Sequence, residues 1–268
     1  MLRSLFRQRL VIAVLFISLM TISQSLTMLP RTAFAGNQNP GVFPIQSRPY
    51  GRTYGQWSAR WWQYALSVPG GMAGQDVFDN CPAEPSRQMW FLVGMTGISA
   101  QRSCTVPVGR AIMFPVFNVE WSRIEADTTT GTCPVSATPS GNSDPALQAC
   151  ATAQANHALD SNATLQADVD GKTLQSLTNY RAVSPPFDFT SAPGNPLGVC
   201  QPDGCNSHAV ADGFWIILTP LRPGPHTIHF KADIPFFSFK TDMTYTLTVQ
   251  AGGISAAFFA WYARSLAA

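Results

Sequence analysis

Residues Met243–Gln250 have the sequence MTYTLTVQ, and this stretch decides the fold class. Apolar side chains at Tyr245, Leu247 and Val249 alternate with threonines, so one face of the segment is apolar and the other is polar. Alternation with a period of two is the pattern of a β-strand that packs one face against a core. The segment therefore predicts a half-buried strand within a sheet.

Segments of the same kind recur along the chain, separated by glycine, proline, asparagine or aspartate. Between two of them, Asp170-Gly171 has the composition of a tight hairpin turn. With 20 Gly, 21 Pro and 12% charged residues, this pattern predicts a mainly β fold, an antiparallel β-sandwich of jelly-roll or immunoglobulin-like type. The predicted strands are Trp90–Val93, Ser103–Pro107, Ala111–Phe117, Thr164–Val169, Tyr180–Val183, Phe214–Thr219, His226–Lys231 and Met243–Gln250.

Two segments depart from the strand pattern and predict helices. Between Thr53 and Pro69, aromatic side chains recur at helical spacing, and Thr53 with Gln56 has the spacing of a capping box. The alanine-rich segment Ala146–Leu159 follows Asp144-Pro145, which suits an N-cap and a proline at the first helical position. We therefore expect an aromatic N-terminal helix and a short inserted helix beside the sheets.

The first 35 residues predict a secretory signal peptide. Three arginines precede the mainly apolar run Leu10–Met20, and Ala33-Phe34-Ala35 matches the small-residue pattern of a cleavage site. The run is shorter than the ~20 residues that a membrane span requires. We expect a secreted or periplasmic mature chain, 36–268, without a transmembrane segment. It would fold as a single domain with an insertion at about 128–160 and an apolar tail at about 254–268.

The charge balance argues against a nucleic-acid partner. Removing the leader takes away four arginines and no acidic residue, so the formal charge changes from +2 to −2. The mature chain contains three lysines, Lys172, Lys231 and Lys240, and has no run of basic residues with which to bind phosphates.

Six cysteines remain in the predicted mature chain, and an even number in an exported protein indicates disulfides. The simplest of the 15 connectivities joins neighbours in sequence. A zinc site is the alternative, but the chain has no C-x-x-C pair. The pairs expected are Cys81–Cys104, Cys133–Cys150 and Cys200–Cys205.

Several stretches together resemble a family of uncharacterised secreted bacterial proteins. The resemblance implies export and a β-sandwich with a helix in front of it, and it implies no activity. The segment 128–148 and the apolar tail after Gly253 match the family less well. The resemblance rests on YGRTYGQWSARWWQYA at Tyr50–Ala65, WFLVG at Trp90–Gly94, CTVPVGRAIMFP at Cys104–Pro115, Asp170-Gly171, YRAVSPPF at Tyr180–Phe187, ADGFW at Ala211–Trp215 and PLRPGPHTIHF at Pro220–Phe230.

Two carboxylates are candidates for catalysis. Glu120 follows a strongly apolar strand and Asp212 precedes Phe214, so together they could form the acid pair of a glycosidase, which requires a separation of ~5–9.5 Å. In the alternative interpretation, Asp212-Gly213 is a turn and Glu120 pairs with Arg102, Arg110 or Arg123.

Histidines are the best metal-ligand candidates, namely His226 and His229 with His208 as a distant third. On a regular strand, residues three apart point to opposite faces, so His226 and His229 could share a site only across a bulge. The alternative is that each histidine bonds to nearby backbone.

The aromatic helix also has two interpretations. Trp57, Trp61 and Trp62 could form a platform that binds a sugar, which requires exposed rings, or they could pack the helix onto a sheet. Spacing typical of a core favours packing.

These observations favour an exported, disulfide-stabilised binding or structural module with a glycan or envelope partner. A secreted hydrolase that uses a carboxylate or metal site on a glycan or ester is the alternative. The sequence indicates no particular cofactor.

Overall fold

The computed structural model describes residues 39–70, 77–78, 81, 86–94, 98–128, 132–135, 141–195 and 197–250. The predicted leader at 1–35, the tail at 254–268 and parts of the insertion, 129–131 and 136–140, lie outside the described residues. Within the described residues, no helix has the length and apolar character needed to cross a membrane.

Two five-stranded sheets form the body of the protein. Sheet 1 has the order β1-β3-β8-β6, with β7 also paired to β8, and sheet 2 has the order β2-β10-β9-β4-β5. The strands are β1 (Met89–Phe91), β2 (Ile98–Pro107), β3 (Ala111–Ser122), β4 (Thr164–Val169), β5 (Lys172–Thr173), β6 (Arg181–Val183), β7 (Phe187–Ser191), β8 (Cys205–Leu218), β9 (Gly224–Ile234) and β10 (Phe239–Gln250).

The mainly β fold is confirmed, and the alternating pattern of β10 explains its position. Tyr245, Leu247 and Val249 are buried while Thr246 and Thr248 are exposed. The two sheets pack against each other, since the ring of Phe114 in β3 stacks on Phe230 in β9 with centroids 5.1 Å apart. The sheets are mixed, because β1 pairs with β3 and β2 pairs with β10 in parallel.

Turn chemistry determines the β4–β5 hairpin. Asp170 and Gly171 have φ values of 50° and 72°, so both central residues lie in the left-handed region. An Asp-Gly pair adopts this conformation readily, and the twist of such a turn matches that of the strands.

Among the described residues, three α-helices flank the sheets. Helix α1 (Tyr54–Ser67) has the predicted capping box, since Gln56 N donates to Thr53 Oγ1 and Thr53 N donates to Gln56 Oε1. The others are α2 (Arg123–Thr128) and α3 (Asp144–Asn156), and short 3-10 helices occur at Pro49–Gly51, His157–Leu159, Leu177–Tyr180 and Pro235–Phe237.

The inserted helix differs in detail from its prediction. The N-cap of α3 is Ser143, so Asp144 is already helical, and the α-helix ends at Asn156 before a 3-10 turn that reaches Leu159. A second difference is β7, which is absent from the predicted strands. Its segment is rich in proline, a residue typical of turns and loops. Its sequence FDFTS nevertheless alternates, with every second side chain buried.

Three disulfides join neighbouring cysteines, as expected. They are Cys81–Cys104, Cys133–Cys150 and Cys200–Cys205, with Cα atoms 5.6–5.7 Å apart. Such bridges fit an exported protein, because disulfides persist in oxidising compartments.

Candidate functional site

The two candidate catalytic carboxylates lie on opposite faces of sheet 1. Asp212 in β8 pairs with Val119 in β3, whereas Glu120 pairs with Ala211. Cross-strand partners share a face and consecutive residues alternate, so the two side chains point away from each other. The expected acid pair is therefore not formed, and the turn expected at Asp212-Gly213 is part of a continuous strand.

A single arginine holds the Asp212 carboxylate, which is fully buried. Arg181 Nε donates to Oδ1 at 3.0 Å and to Oδ2 at 3.2 Å, and Nη2 donates to Oδ2 at 2.7 Å. The same guanidinium donates to Asn156 Oδ1 and Thr152 O of α3 and lies over the ring of Phe214. The ion pair of Arg181 with Asp212 therefore links sheet 1 to α3, because Arg181 also donates to that helix.

Glu120 faces another carboxyl group. Burial and the neighbouring charge of Glu125 hold the pKa of Glu120 well above its usual value. Burial also raises the pKa of Glu125, although Ser122 donates to its Oε2 from the backbone N at 2.9 Å and from Oγ at 2.7 Å. The expected partnership of Glu120 with an arginine is replaced by this carboxyl pair.

The three candidate metal ligands lie in separate places. His226 contacts Asp170 Oδ2 at 2.8 Å, and His229 contacts Asp242 Oδ1 at 2.8 Å. His208 contacts Asp188 Oδ1 at 2.6 Å. In the described part of the chain, no two of these histidines share a carboxylate, although His208 and His229 each contact a second one, Asp144 and Asp168 respectively. Across the described residues, no group of three or more His, Cys, Asp or Glu side chains is arranged to hold a metal ion.

The tryptophans of α1 are buried, so they do not form the exposed sugar platform. Trp57, Trp61 and Trp62 are 2%, 1% and 8% exposed. Trp61 packs edge-on against Trp215 of sheet 1, and its Nε1 donates to Leu92 O at 2.9 Å. These rings hold the helix against sheet 1, which agrees with the interpretation that the tryptophans pack the helix onto a sheet.

An arginine-lined pocket opens beside the solvent-facing side of α1. It has a volume of about 390 Å³, and Arg52, Arg60 and Arg87 line it together with the rings of Trp57, Tyr64 and Phe91. The described residues that line it include no aspartate or glutamate. Within the described part of the chain, none of the three arginines forms an ion pair, although Arg52 lies over the ring of Trp57 at 5.6 Å.

A larger and more open groove lies on the other side of the same helical ridge. Its volume is about 910 Å³, and it shares Arg60, Gln63 and Ser67 with the arginine pocket. Its other walls include Asp188, Asn206 and His208 of sheet 1 and the charged side chains of Arg123 and Asp127 in α2. The pocket and the groove therefore form adjoining surfaces along α1.

The arginine pocket was not among the candidates from the sequence. Arg60 and Gln63 occupy the polar side of the amphipathic helix, and this spacing was the available signal. Arg87 is 27 positions from Arg60 in the chain, so only the folded structure brings the two together.

No protein-family model and no curated protein matches the chain. Two solved structures show distant similarity. One is a chain in the structure of PbICP-C in complex with falcipain-2, with 10% identity and a TM-score of 0.21 over 61% of this chain and 98% of that chain. The other is the solution structure of Amebosin, with 9% identity and a TM-score of 0.17 over 62% of this chain and 100% of that chain. At such TM-scores neither similarity supports an assignment.

Proposed function

We propose that this protein is an exported binding module that holds an acidic glycan of the cell envelope or its surroundings in the arginine pocket. The observation that carries the proposal is the set of three guanidiniums, from Arg52, Arg60 and Arg87, around a pocket whose described lining has no acidic residue. The three disulfides support the exported part of the proposal.

Guanidinium chemistry defines the ligand's charged group. Arginine presents a planar fork of N–H donors that matches a carboxylate, sulfate or phosphate, and it remains charged at any physiological pH. The largely buried rings of Trp57, Tyr64 and Phe91 also line the pocket, so they offer a sugar ring a small apolar surface beside these donors. A uronic acid unit combines both features.

The adjoining groove has room for further units of a polymer, whose charges would meet Arg123 as well as Asp127 and Asp188 there. It continues past Arg60 and Gln63 to Thr190 and Asn206. Thr190 Oγ1 donates to Asn206 Oδ1 at 2.6 Å, and the amide NH₂ of Asn206 can donate to a sugar hydroxyl. An acidic oligosaccharide could therefore place one carboxylate in the arginine pocket while its neighbouring units lie along the groove.

The test is calorimetric titration of the mature protein with a hexamer of galacturonate and with a neutral glucose hexamer. We expect the acidic hexamer alone to bind, and its affinity to fall with added salt. Arg60→Gln and Arg87→Gln should each weaken binding by about 10- to 100-fold, because a hydrogen bond to a charged group contributes ~1.5–3 kcal/mol.

Arg222→Gln is the matched control, because Arg222 is exposed and lines neither surface. Equal binding of the two hexamers, or an equal loss of affinity in the control, would refute the proposal. Equal binding of a glutamate hexapeptide would show that charge alone determines binding, and the glycan part would then be wrong.

A further inference from the structure

A cavity of about 190 Å³ lies at the edge of β3, between α1 and sheet 2. Trp61 and Trp62 of α1 form one wall, and Phe230 and Phe239 of sheet 2 form another. The cavity is next to the register shift between Pro115 and Phe117. β1 pairs with β3 only over Ala111–Met113, so this part of β3 has no strand on that side among the described residues.

Three of the side chains that line this cavity each carry a buried polar atom without a hydrogen-bond partner among the described residues. The atoms are Trp62 Nε1, Asn118 Nδ2 and Thr241 Oγ1, and all three are buried. Trp62 is 8% exposed and Thr241 is 4% exposed. Buried polar groups in proteins are nearly always hydrogen-bonded, so three exceptions around one cavity indicate a ligand that bonds to them.

Other tryptophans of the protein provide a comparison for the unpartnered indole N–H of Trp62. The indole Nε1 atoms of Trp57 and Trp61, in the same helix, donate to Pro49 O and Leu92 O at 2.9 Å. Trp90 and Trp215 also have unpartnered Nε1 atoms, but neither residue lines the cavity. This cavity therefore differs from the surroundings of Trp90 and Trp215, because three side chains with unpartnered polar atoms line it together.

We propose that the cavity binds a small neutral molecule with one six-membered ring and a carbonyl oxygen. Its described lining has no charged side chain, and an ion would lose its hydration there without an opposite charge. Indole N–H and the amide NH₂ can only donate, so the ligand must supply an acceptor oxygen. The hydroxyl of Thr241 donates to the same oxygen or accepts from a second polar group of the ligand.

Volume and wall chemistry define the rest of the ligand. A protein cavity of ~150 Å³ accommodates benzene, so about 190 Å³ has room for one ring with a short substituent. The surrounding aromatic side chains favour stacked or edge-on contacts with a flat ring. An aromatic ketone such as acetophenone meets each requirement, and the site is separate from the arginine pocket.

The test compares three probes of similar size on the full exported protein. Acetophenone has a ring and a carbonyl, ethylbenzene lacks the acceptor, and benzoate carries a charge. We expect acetophenone to bind, with quenching of tryptophan fluorescence. Its affinity should be at least about 10-fold higher than that of ethylbenzene, because a buried donor without an acceptor loses its hydrogen bond. Benzoate should not bind.

Two substitutions locate the site, of which Thr241→Val is nearly isosteric and Trp62→Phe also shortens the ring system. Thr241→Val removes the hydroxyl and Trp62→Phe removes the indole N–H, and each should weaken acetophenone binding by about 3- to 10-fold. Thr246→Val is the matched control on β10, since Thr246 is exposed and does not line the cavity. Arg60→Gln should leave acetophenone binding unchanged.

The outcomes separate a ligand site from a hydrated cavity. If acetophenone does not bind up to millimolar concentration, or binds no better than ethylbenzene, the cavity is not a site for this class and the proposal is wrong. Unchanged affinity in both Thr241→Val and Trp62→Phe would place the binding elsewhere and would also overturn it.

Discussion

Asp212 and Glu120 lie one register position apart on neighbouring strands, yet their surroundings are opposite in charge. Asp212 faces Arg181 and α3, and three N–H···O contacts hold its carboxylate. Glu120 faces Glu125 on the other side of sheet 1, and its pKa is raised well above the usual value. Burial alone therefore does not determine what a carboxyl group does in a fold. The partner on its own face of the sheet decides whether it stabilises the protein as an ion or as an acid.

The largest effect should come from separating the buried ion pair. Arg181→Met leaves the Asp212 carboxylate without its guanidinium, and removing one partner of a buried pair costs about 3–5 kcal/mol. Urea denaturation at pH 7 measures this loss. Arg222→Met, at an exposed position, is the control and should change stability little.

The double substitution Arg181→Met with Asp212→Leu sharpens the same comparison. It removes both charges at once, and apolar replacements of buried pairs are often neutral or stabilising. We expect the double variant to recover a large part of the loss. A double variant as unstable as Arg181→Met alone would show that the contacts of Arg181 with Asn156 and Thr152 O account for the loss.

The second prediction concerns the disulfide between Cys133 and Cys150, which anchors α3. This helix also accepts hydrogen bonds from Arg181 of β6. Replacing Cys133 and Cys150 with alanine should cost about 3 kcal/mol, because the bridge spans 17 residues. The bridge between Cys200 and Cys205 spans 5 residues, so its removal should cost less, about 2 kcal/mol in the same chain-entropy treatment. Thermal melts of the two double variants compare the losses, and the reverse order would contradict the prediction.

The third prediction tests the carboxyl pair on the opposite face. Because the pKa of Glu120 is raised in the folded state, its protonated form stabilises the fold below the unfolded pKa of ~4.3, and this contribution is lost as pH rises through the folded pKa. Glu120→Gln mimics the protonated form. We expect the free energy of unfolding of the variant to exceed that of the wild type at pH 8, because the wild type then carries a buried charge beside Glu125 that the amide does not.

The difference between Glu120→Gln and the wild type should shrink towards pH 4, where both side chains are uncharged. Melting temperatures across this pH range measure it. Asp203→Asn, at an exposed position, should show no such pH dependence. A constant difference at every pH would mean that Glu120 does not titrate in this range.

The smallest effect should come from a partly exposed pair, His226 and Asp170, whose side chains are 14% and 43% exposed. Burial lowers the pKa of His226, but the hydrogen bonds with Asp170 and with Arg222 O outweigh it, so the net pKa is raised. The pair therefore stabilises the fold at pH below about 6.5, and the effect is lost as pH rises through the folded pKa. His226→Gln should cost less than ~1 kcal/mol at pH 6. An NMR titration midpoint at or below 6.5 would contradict the raised pKa of His226.

Local chemistry made much of the fold predictable. The alternation of β10, the capping box at Thr53 and the Asp170-Gly171 turn depend on residues within a few positions of one another. Neighbouring cysteines also pair as their order in the chain suggested. Each of these features involves a short loop or a single element, for which sequence spacing determines geometry.

The partners of the buried charges were not predictable, because they depend on register. The sequence suggests Glu120 and Asp212 as a pair. A shift of one residue in the register of β3 and β8 would place them on the same face of sheet 1. Arg181 reaches Asp212 across 31 positions of sequence, and no local pattern indicates that contact. The parallel pairing of β2 with β10 was likewise not predictable from the alternating pattern. Side chains alternate with a period of two residues whether the neighbouring strand is parallel or antiparallel.

The position of β10 has a consequence for how the chain acquires its structure. This strand, Phe239–Gln250, is the last described strand in sequence but lies inside sheet 2, between β2 and β9. Its contacts with β2 join residues about 140 positions apart. Contacts of such separation have a large loop-closure cost, so folding should be slow and governed by long-range pairing. A growing chain that ends before residue 239 leaves two strand edges open, and sheet 2 can close only when nearly the whole domain has been made.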